Sequence, residues 1–94
     1  MFPTLDPLLH SELRLAVMSI LISVEEADFV YIRKMTDSTA GNLSVQIEKL
    51  SEAGYIDVER GFEGKRTRTV CKITPKGVSA LEAYVAAIKE YLKL

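Results

Sequence analysis

The chain has 94 residues, 48% of them hydrophobic and 27% charged, and its formal net charge is −1 at pH 7. These values predict one small globular domain, residues 1–94, and exclude a disordered chain or an array of domains. The single cysteine, Cys71, excludes an internal disulfide, and no Cys and His residues have metal-ligand spacing, so we expect no cofactor and a cytoplasmic location. The apolar run at 15–24 is shorter than the roughly 20 residues that a membrane span requires.

The first predicted helix covers residues 8–23, where apolar residues recur with the helical period. A second apolar stripe runs along the same helix beside the first. Because a small domain covers only one stripe with its own core, the second stripe predicts contact with another subunit. The residues of this second stripe are Leu8, Leu15, Met18 and Ile22.

Two shorter helices are predicted next, joined by a polar turn. The polar segment 25–28 ends the first helix, and Asp28 is the expected N-cap of the second. Thr39 is the expected N-cap of the third helix, which covers residues 39–53 and is stopped by Gly54. Two helices joined in this way form a helix-turn-helix.

A strand hairpin follows. In residues 55–60, Ile56 and Val58 lie on one face and Asp57 and Glu59 on the other, which is the alternation of a half-buried strand. Residues 61–66 ("GFEGKR") are the predicted loop, and residues 67–73 form the return strand. Because side chains on a strand alternate with period two, the basic side chains of the return strand share one face. That face carries Arg66, Arg68, Val70 and Lys72, and the opposite face carries Thr67, Thr69, Cys71 and Ile73.

The last predicted helix covers about residues 75–94, with Thr74 as its N-cap and Pro75 at its first position. Its heptad-like apolar stripe is longer than the core of a small domain requires. We therefore expect this helix and the first helix to form a homodimer interface. The predicted interface residues are Leu8, Leu15, Met18, Ile22, Leu81, Tyr84, Val85, Ile88, Tyr91 and Leu92.

Positive charge is concentrated in the hairpin. Residues 60–76 contain six basic residues and one acidic residue, a local net charge of +5, so the remaining residues carry −6. A polyanion would therefore meet one end of the molecule.

Two segments resemble a known family. Residues 38–56 ("STAGNLSVQIEKLSEAGYI") and 64–77 ("GKRTRTVCKITPKG") are similar to the recognition helix, wing and final helix start of winged-helix regulators of the MarR-like and ArsR-like kind. The resemblance implies a mainly α fold with a small β hairpin, in the order helix-helix-helix-strand-strand-helix. It also implies a cytoplasmic, non-enzymatic DNA-binding protein that regulates transcription as a homodimer. It identifies no small-molecule effector.

The third helix is the predicted recognition helix for the DNA major groove. On its surface, Asn42 and Gln46 are candidates for bidentate pairing with adenine, and the helix has no arginine, the usual reader of guanine. The alternative is an ordinary amphipathic surface helix, which Glu48 and Glu52 favour. The predicted contact residues of this helix are Thr39, Gly41, Asn42, Ser44, Val45 and Lys49.

The basic wing, residues 60–68, is the second predicted DNA contact, with Lys65, Arg66 and Arg68 on phosphate or in the minor groove. One alternative is a charged hairpin that discourages strand pairing between molecules. Another is a winged helix that binds a protein partner without binding DNA.

The remaining candidates for chemistry are weak. The glycines of "GFEGKRT" lie three residues apart, and Arg66 stands where a phosphate-binding loop requires Ser or Thr, so nucleotide binding is excluded. His10 has no partner for catalysis. Cys71 is predicted to be a small core residue, with a redox-sensing thiol as the alternative.

Overall fold

The computed structural model describes residues 1–93, and it confirms a mainly helical winged-helix fold. Leu94, at the end of the predicted last helix, lies outside the described residues. The elements are α1 (Glu12–Ser23), β1 (Ala27–Asp28), α2 (Phe29–Thr36), α3 (Ala40–Glu52), β2 (Ile56–Glu63), β3 (Arg66–Ile73) and α4 (Pro75–Tyr91).

The sheet has three antiparallel strands in the order β1-β3-β2, one more than the predicted hairpin. Ala27 pairs with Cys71 and Asp28 with Val70, so the segment that the sequence marked only as a break between helices also forms an edge strand. Periodicity could not reveal β1, because two residues are too few to show alternation.

Helix α1 begins at Glu12, four residues later than predicted. The Asp6 carboxylate accepts a hydrogen bond from the Leu8 backbone N–H at 2.9 Å, and the Asp6 carbonyl accepts one from His10 at 2.9 Å. These bonds close a turn before the helix, and Ser11 is extended (φ −151°, ψ 127°). Leu8 therefore belongs to this turn instead of a helical stripe.

The predicted helix caps are confirmed. The side chains of Asp28, Thr39 and Thr74 each accept a backbone N–H three residues ahead, at 2.8, 3.2 and 3.0 Å. Gly54 ends α3 with φ 78°, and its N–H and that of Tyr55 bond back to Ser51 and Leu50 at 2.9 and 3.0 Å. This is a Schellman motif, which requires the left-handed conformation that glycine adopts most readily.

The residues before α1 attach both to the end of α3 and to α4. Tyr55 donates its hydroxyl hydrogen to the Asp6 carboxylate at 2.5 Å, and Tyr91 donates to the Pro3 carbonyl at 2.7 Å. The hydrogen bond to Asp6, followed by burial, raises the pKa of Tyr55 to about 12. The ring of Phe2 stacks on Tyr91 with centroids 4.7 Å apart.

One continuous core lies between the helices and the sheet. Its largest fully buried side chains come from every helix except α4, and from β2, β3 and the turn before α1. They are Leu9, Val17, Met18, Leu21, Ile32, Leu43, Ile47, Leu50, Ile56 and Cys71. None of the helices within residues 1–93 has the length and apolar content that crossing a membrane requires.

Candidate nucleic-acid interface

Helix α3 presents a polar outer face above a buried apolar one. Leu43, Ile47 and Leu50 face the core, as the period predicts, and the first turn is held by the Thr39 cap. All six residues of this helix that were predicted to contact DNA are exposed: Thr39, Gly41, Asn42, Ser44, Val45 and Lys49. Glu48 and Glu52 are exposed as well.

Gln46 is not free to pair with a base, contrary to the sequence interpretation. Its carbonyl oxygen accepts a hydrogen bond from Arg14 Nη1 of α1, and its Nε2 donates to Asn42 Oδ1 at 2.9 Å. Arg14 Nε donates in turn to the Leu8 carbonyl at 2.6 Å. We call Arg14, Gln46 and Asn42 the polar relay. Arg14 was missed because it lies 32 positions from Gln46, and no local pattern links them.

The wing ends in a tighter turn than predicted. The strands extend to Glu63 and from Arg66, so Gly64 and Lys65 alone form the loop. Gly64 has φ 63°, whereas Lys65 has no positive φ, which is the pattern of a type II′ hairpin turn. The predicted six-residue loop is therefore wrong, and its first three residues and its last belong to paired strands.

The basic side chains of the wing lie on two faces of the sheet. The register places Arg60 opposite Thr69 and Phe62 opposite Thr67, on the face that carries Cys71. Arg60 Nη2 lies 3.8 Å from Glu48 Oε2 of α3, so this face of the wing is directed toward α3. Phe62 is 78% exposed there, an apolar residue in a charged hairpin that the sequence interpretation left unassigned.

Arg66, Arg68 and Lys72 lie on the other face of β3, as alternation predicts. Val70 shares that face but is buried, next to the β1 pairing. Arg68 Nε lies 3.7 Å from Asp28 Oδ2 and 3.5 Å from Glu63 Oε2. Within residues 1–93, Lys65 and Arg66 form no ion pair, so their charge is the less neutralised part of the wing.

An apolar groove runs between α1 and α4. Ile22, Val85 and Leu92 are exposed in it. Its lining consists of Leu15, Ser19, Ile22, Leu81, Tyr84, Val85, Ile88, Lys89 and Leu92. Most of the predicted interface residues thus border one surface.

Four predicted interface residues serve the protomer itself. Met18 is 0% exposed, so its assignment to a subunit contact is wrong: the side chain is part of the core. Leu81 and Tyr84 are each 7% exposed and belong to the core as well. The Tyr84 hydroxyl lies 2.9 Å from His10 Nδ1, and the Tyr91 hydroxyl donates to the Pro3 carbonyl. Periodicity identified the apolar stripes but not which of them the protomer covers.

Cys71 is a buried core residue. It is fully buried, and burial raises the pKa of its thiol to about 11, with Arg60 acting weakly in the opposite direction. The thiolate is the reactive form, so this environment opposes the redox alternative. Among residues 1–93, no three His, Cys, Asp or Glu side chains come together as a metal site.

The fold and this surface define a winged helix-turn-helix domain. The chain belongs to the winged helix DNA-binding domain family, whose sequence model matches residues 13–92. That is a family of transcriptional regulators and not of enzymes. The chain is 30% identical over 84 residues to an uncharacterised protein of Methanocaldococcus jannaschii, covering 89% of this chain and 91% of that protein.

Solved structures share the fold. The transcriptional regulator homologue from Pyrococcus horikoshii OT3 superposes with a TM-score of 0.82 at 30% identity, covering 93% of this chain and 89% of that one. Bacillus subtilis PadR in complex with operator DNA gives 0.71 at 17% identity, covering 80% of this chain and 47% of PadR. A MarR-family regulator from Silicibacter pomeroyi gives 0.68 at 17%, covering 88% and 55%.

Proposed function

We propose that this protein is a homodimeric, sequence-specific DNA-binding transcriptional regulator. The observation that carries the proposal is the exposed outer face of α3 beside a wing whose Lys65 and Arg66 have no acidic partner in residues 1–93. The family membership and the operator complex of the similarly folded PadR support DNA as the ligand. The protein's acidic remainder would restrict that ligand to one end of the molecule.

In this proposal α3 enters the major groove with its N-terminal turn first. The helix N-terminus at Thr39 favours an anion, and Gly41 has open space around it, so a phosphate can approach the backbone closely. Asn42 and Ser44 reach base edges, Val45 contacts a thymine methyl group, and Lys49 contacts phosphate.

The wing contacts the phosphate backbone beside the groove. Lys65 at the turn and Arg66 next to it supply charge without first breaking an ion pair. Arg68 contributes less, because a phosphate must compete with Asp28 and Glu63 for its guanidinium. These exposed pairs are individually weak, on the order of 0–1 kcal/mol, so a phosphate can displace them.

Dimerisation would use the groove between α1 and α4. An isologous contact would cover Ile22, Val85 and Leu92 and would place two copies of α3 on successive half-sites about one DNA turn apart. Leu8, Leu15, Leu81, Tyr84, Ile88 and Tyr91 would lie in or under this contact.

DNA selected from a random pool provides the ligand for the test. On the selected site we expect Lys65→Ala combined with Arg66→Ala to weaken binding. The negative slope of log K against log salt should become shallower by about 0.9 for each lost phosphate contact. Arg68→Ala should have a smaller effect, and Lys93→Ala, which removes a charge at the other end of the chain, should have none. If the selection enriches no sequence and binding does not depend on salt, the proposal fails.

A protein-binding winged helix is the competing function, favoured by the Arg60–Glu48 pair and by exposed Glu52 on the face that would meet DNA. It predicts a stoichiometric protein partner together with no DNA affinity at low salt. Co-purification followed by the same binding assay separates the two functions.

A further inference from the structure

The polar relay fixes the orientation of two side-chain amides. Arginine has N–H donors and no acceptor, so whichever atom of Gln46 faces Arg14 must be its carbonyl oxygen. Arg14 is itself held by its bond to the Leu8 carbonyl at 2.6 Å. The Gln46 nitrogen must then face Asn42, and it donates to Asn42 Oδ1 at 2.9 Å.

We propose that this relay determines which base edges Asn42 reads: it turns the Asn42 amide nitrogen outward and keeps the carbonyl oxygen on Gln46. The inference rests on the proposed DNA-binding function. Asn42 is exposed, and within residues 1–93 its Nδ2 has no hydrogen-bond partner. The exposed end of the side chain therefore offers two N–H donors.

An Asn42 side chain that presents its N–H groups to the groove favours a different base from one whose amide is free to rotate. Bidentate pairing with adenine needs the carbonyl to accept from N6 while the amide donates to N7. The carbonyl oxygen is turned along the helix toward Gln46, where one of its two lone pairs is used, so the amide N–H groups are the part of Asn42 that faces a base. Two adjacent acceptors suit these N–H groups best, and in the major groove they are guanine N7 and O6. The relay thus gives guanine preference to a helix that carries no arginine.

Arg14 and Gln46 are positioning residues in this arrangement, because neither has to touch a base. Gln46 is half-buried and its amide is used at both ends. Arg14 is also half-buried and lies on α1, outside the helix-turn-helix. Their effect on specificity is exerted through the direction in which the Asn42 amide points.

Gln46→Glu provides the test, since a carboxylate accepts from both neighbours. It keeps the contact with Arg14 but requires Asn42 to donate to it, which turns the Asn42 oxygen outward. The favoured base should change from guanine to one that presents a donor, cytosine N4 or adenine N6. We expect the ratio of affinities for the two sites to change about tenfold, within the range of a good base contact.

Competition between two DNA duplexes that differ only at this position measures the ratio, so a uniform effect of the added charge cancels. The matched control is the same substitution in an Asn42→Ala background, where the ratio should no longer respond. A ratio unchanged by Gln46→Glu, or one that changes equally without Asn42, would overturn the relay.

NMR of the side-chain amides tests the relay without DNA, so its failure is distinguishable from failure of the proposed function. In the wild type, the Gln46 amide proton that is bonded to Asn42 should exchange slowly, and both amide protons of Asn42 should exchange rapidly. In Gln46→Glu, one Asn42 amide proton should become protected. Should Gln46→Glu fail to fold, Gln46→Met removes the relay without adding a charge, and Asn42 should then favour adenine. Rapid exchange of both Gln46 amide protons in the wild type would refute the proposal.

Discussion

Replacing Gly77 with alanine introduces a methyl group where α4 begins against the junction of α3 and β2. A Cβ at this position would lie 2.1 Å from the Tyr55 carbonyl oxygen and 3.0 Å from Ile73 Cγ1. Ordinary contact begins at 3.4 Å, so the obstacle must move by more than 1 Å. That obstacle is backbone, and the same Tyr55 carbonyl accepts the Thr74 N–H at 3.0 Å.

The expected change in the free energy of unfolding is the sum of three contributions. Overpacking of a well-packed site costs ~1–3 kcal/mol, and the upper end applies because backbone has to yield. Loss of the Thr74 hydrogen bond adds about 1 kcal/mol. The higher helix propensity of alanine stabilises the folded state by about 1 kcal/mol. The free energy of unfolding should therefore fall by about 3 kcal/mol, which lowers Tm by on the order of 15 °C in a domain of this size.

Thermal unfolding followed by circular dichroism measures the change, with Gly41→Ala as the matched control. Gly41 also lies in the first turn of a helix, but a Cβ there has nothing within 4 Å. Gly41→Ala should therefore raise Tm by a few degrees, in keeping with the ~1 kcal/mol propensity difference. If Gly77→Ala melts within about 3 °C of the wild type, the close approach does not hold α4 in place and the reasoning is refuted.

Three further predictions concern pH, thiol reactivity and assembly. The folded-state pKa of Tyr55 is raised to about 12, so its hydrogen bond to Asp6 stabilises the fold below pH 10, and this stabilisation is lost between about pH 10 and 12. In urea titrations, Tyr55→Phe should therefore be less stable than the wild type at pH 8, and the difference should disappear above pH 12. Cys71 should react with a thiol reagent only as fast as the protein unfolds, so rapid labelling under native conditions would contradict its burial. Val85→Glu should halve the mass measured by light scattering while leaving the fold intact. Met35→Glu, at a residue that is also exposed (61% against 43% for Val85) but lies on α2, should leave the mass unchanged.

Features determined by neighbouring residues were predictable from the sequence. Each cap at Asp28, Thr39 and Thr74 depends on a side chain three residues from its partner, and the stop at Gly54 depends on one backbone conformation. The alternation along β3 is equally local, so the face of its basic residues followed from the pattern.

Features that depend on distant parts of the chain were not predictable. Arg14 and Gln46 are polar residues on different helices, and only the packing of α1 against α3 joins them. The burial of Met18 likewise depends on which side of α1 the rest of the domain covers. Strand β1 exists because β3 offers it an edge, and its own two residues carry no signal.

The two-residue turn of the wing has a consequence for how binding free energy is used. A long flexible loop would lose backbone freedom on binding, at a cost of about 1–2 kcal/mol for each residue that becomes fixed. Here strand pairing continues to Glu63 and Arg66, so the backbone beneath Lys65 is ordered before any ligand arrives. Under the proposed function, the wing would therefore reach a fixed distance from the domain. It would favour duplexes whose phosphate backbone already lies at that distance, and DNA that must bend to meet the wing would bear the free-energy cost of the deformation.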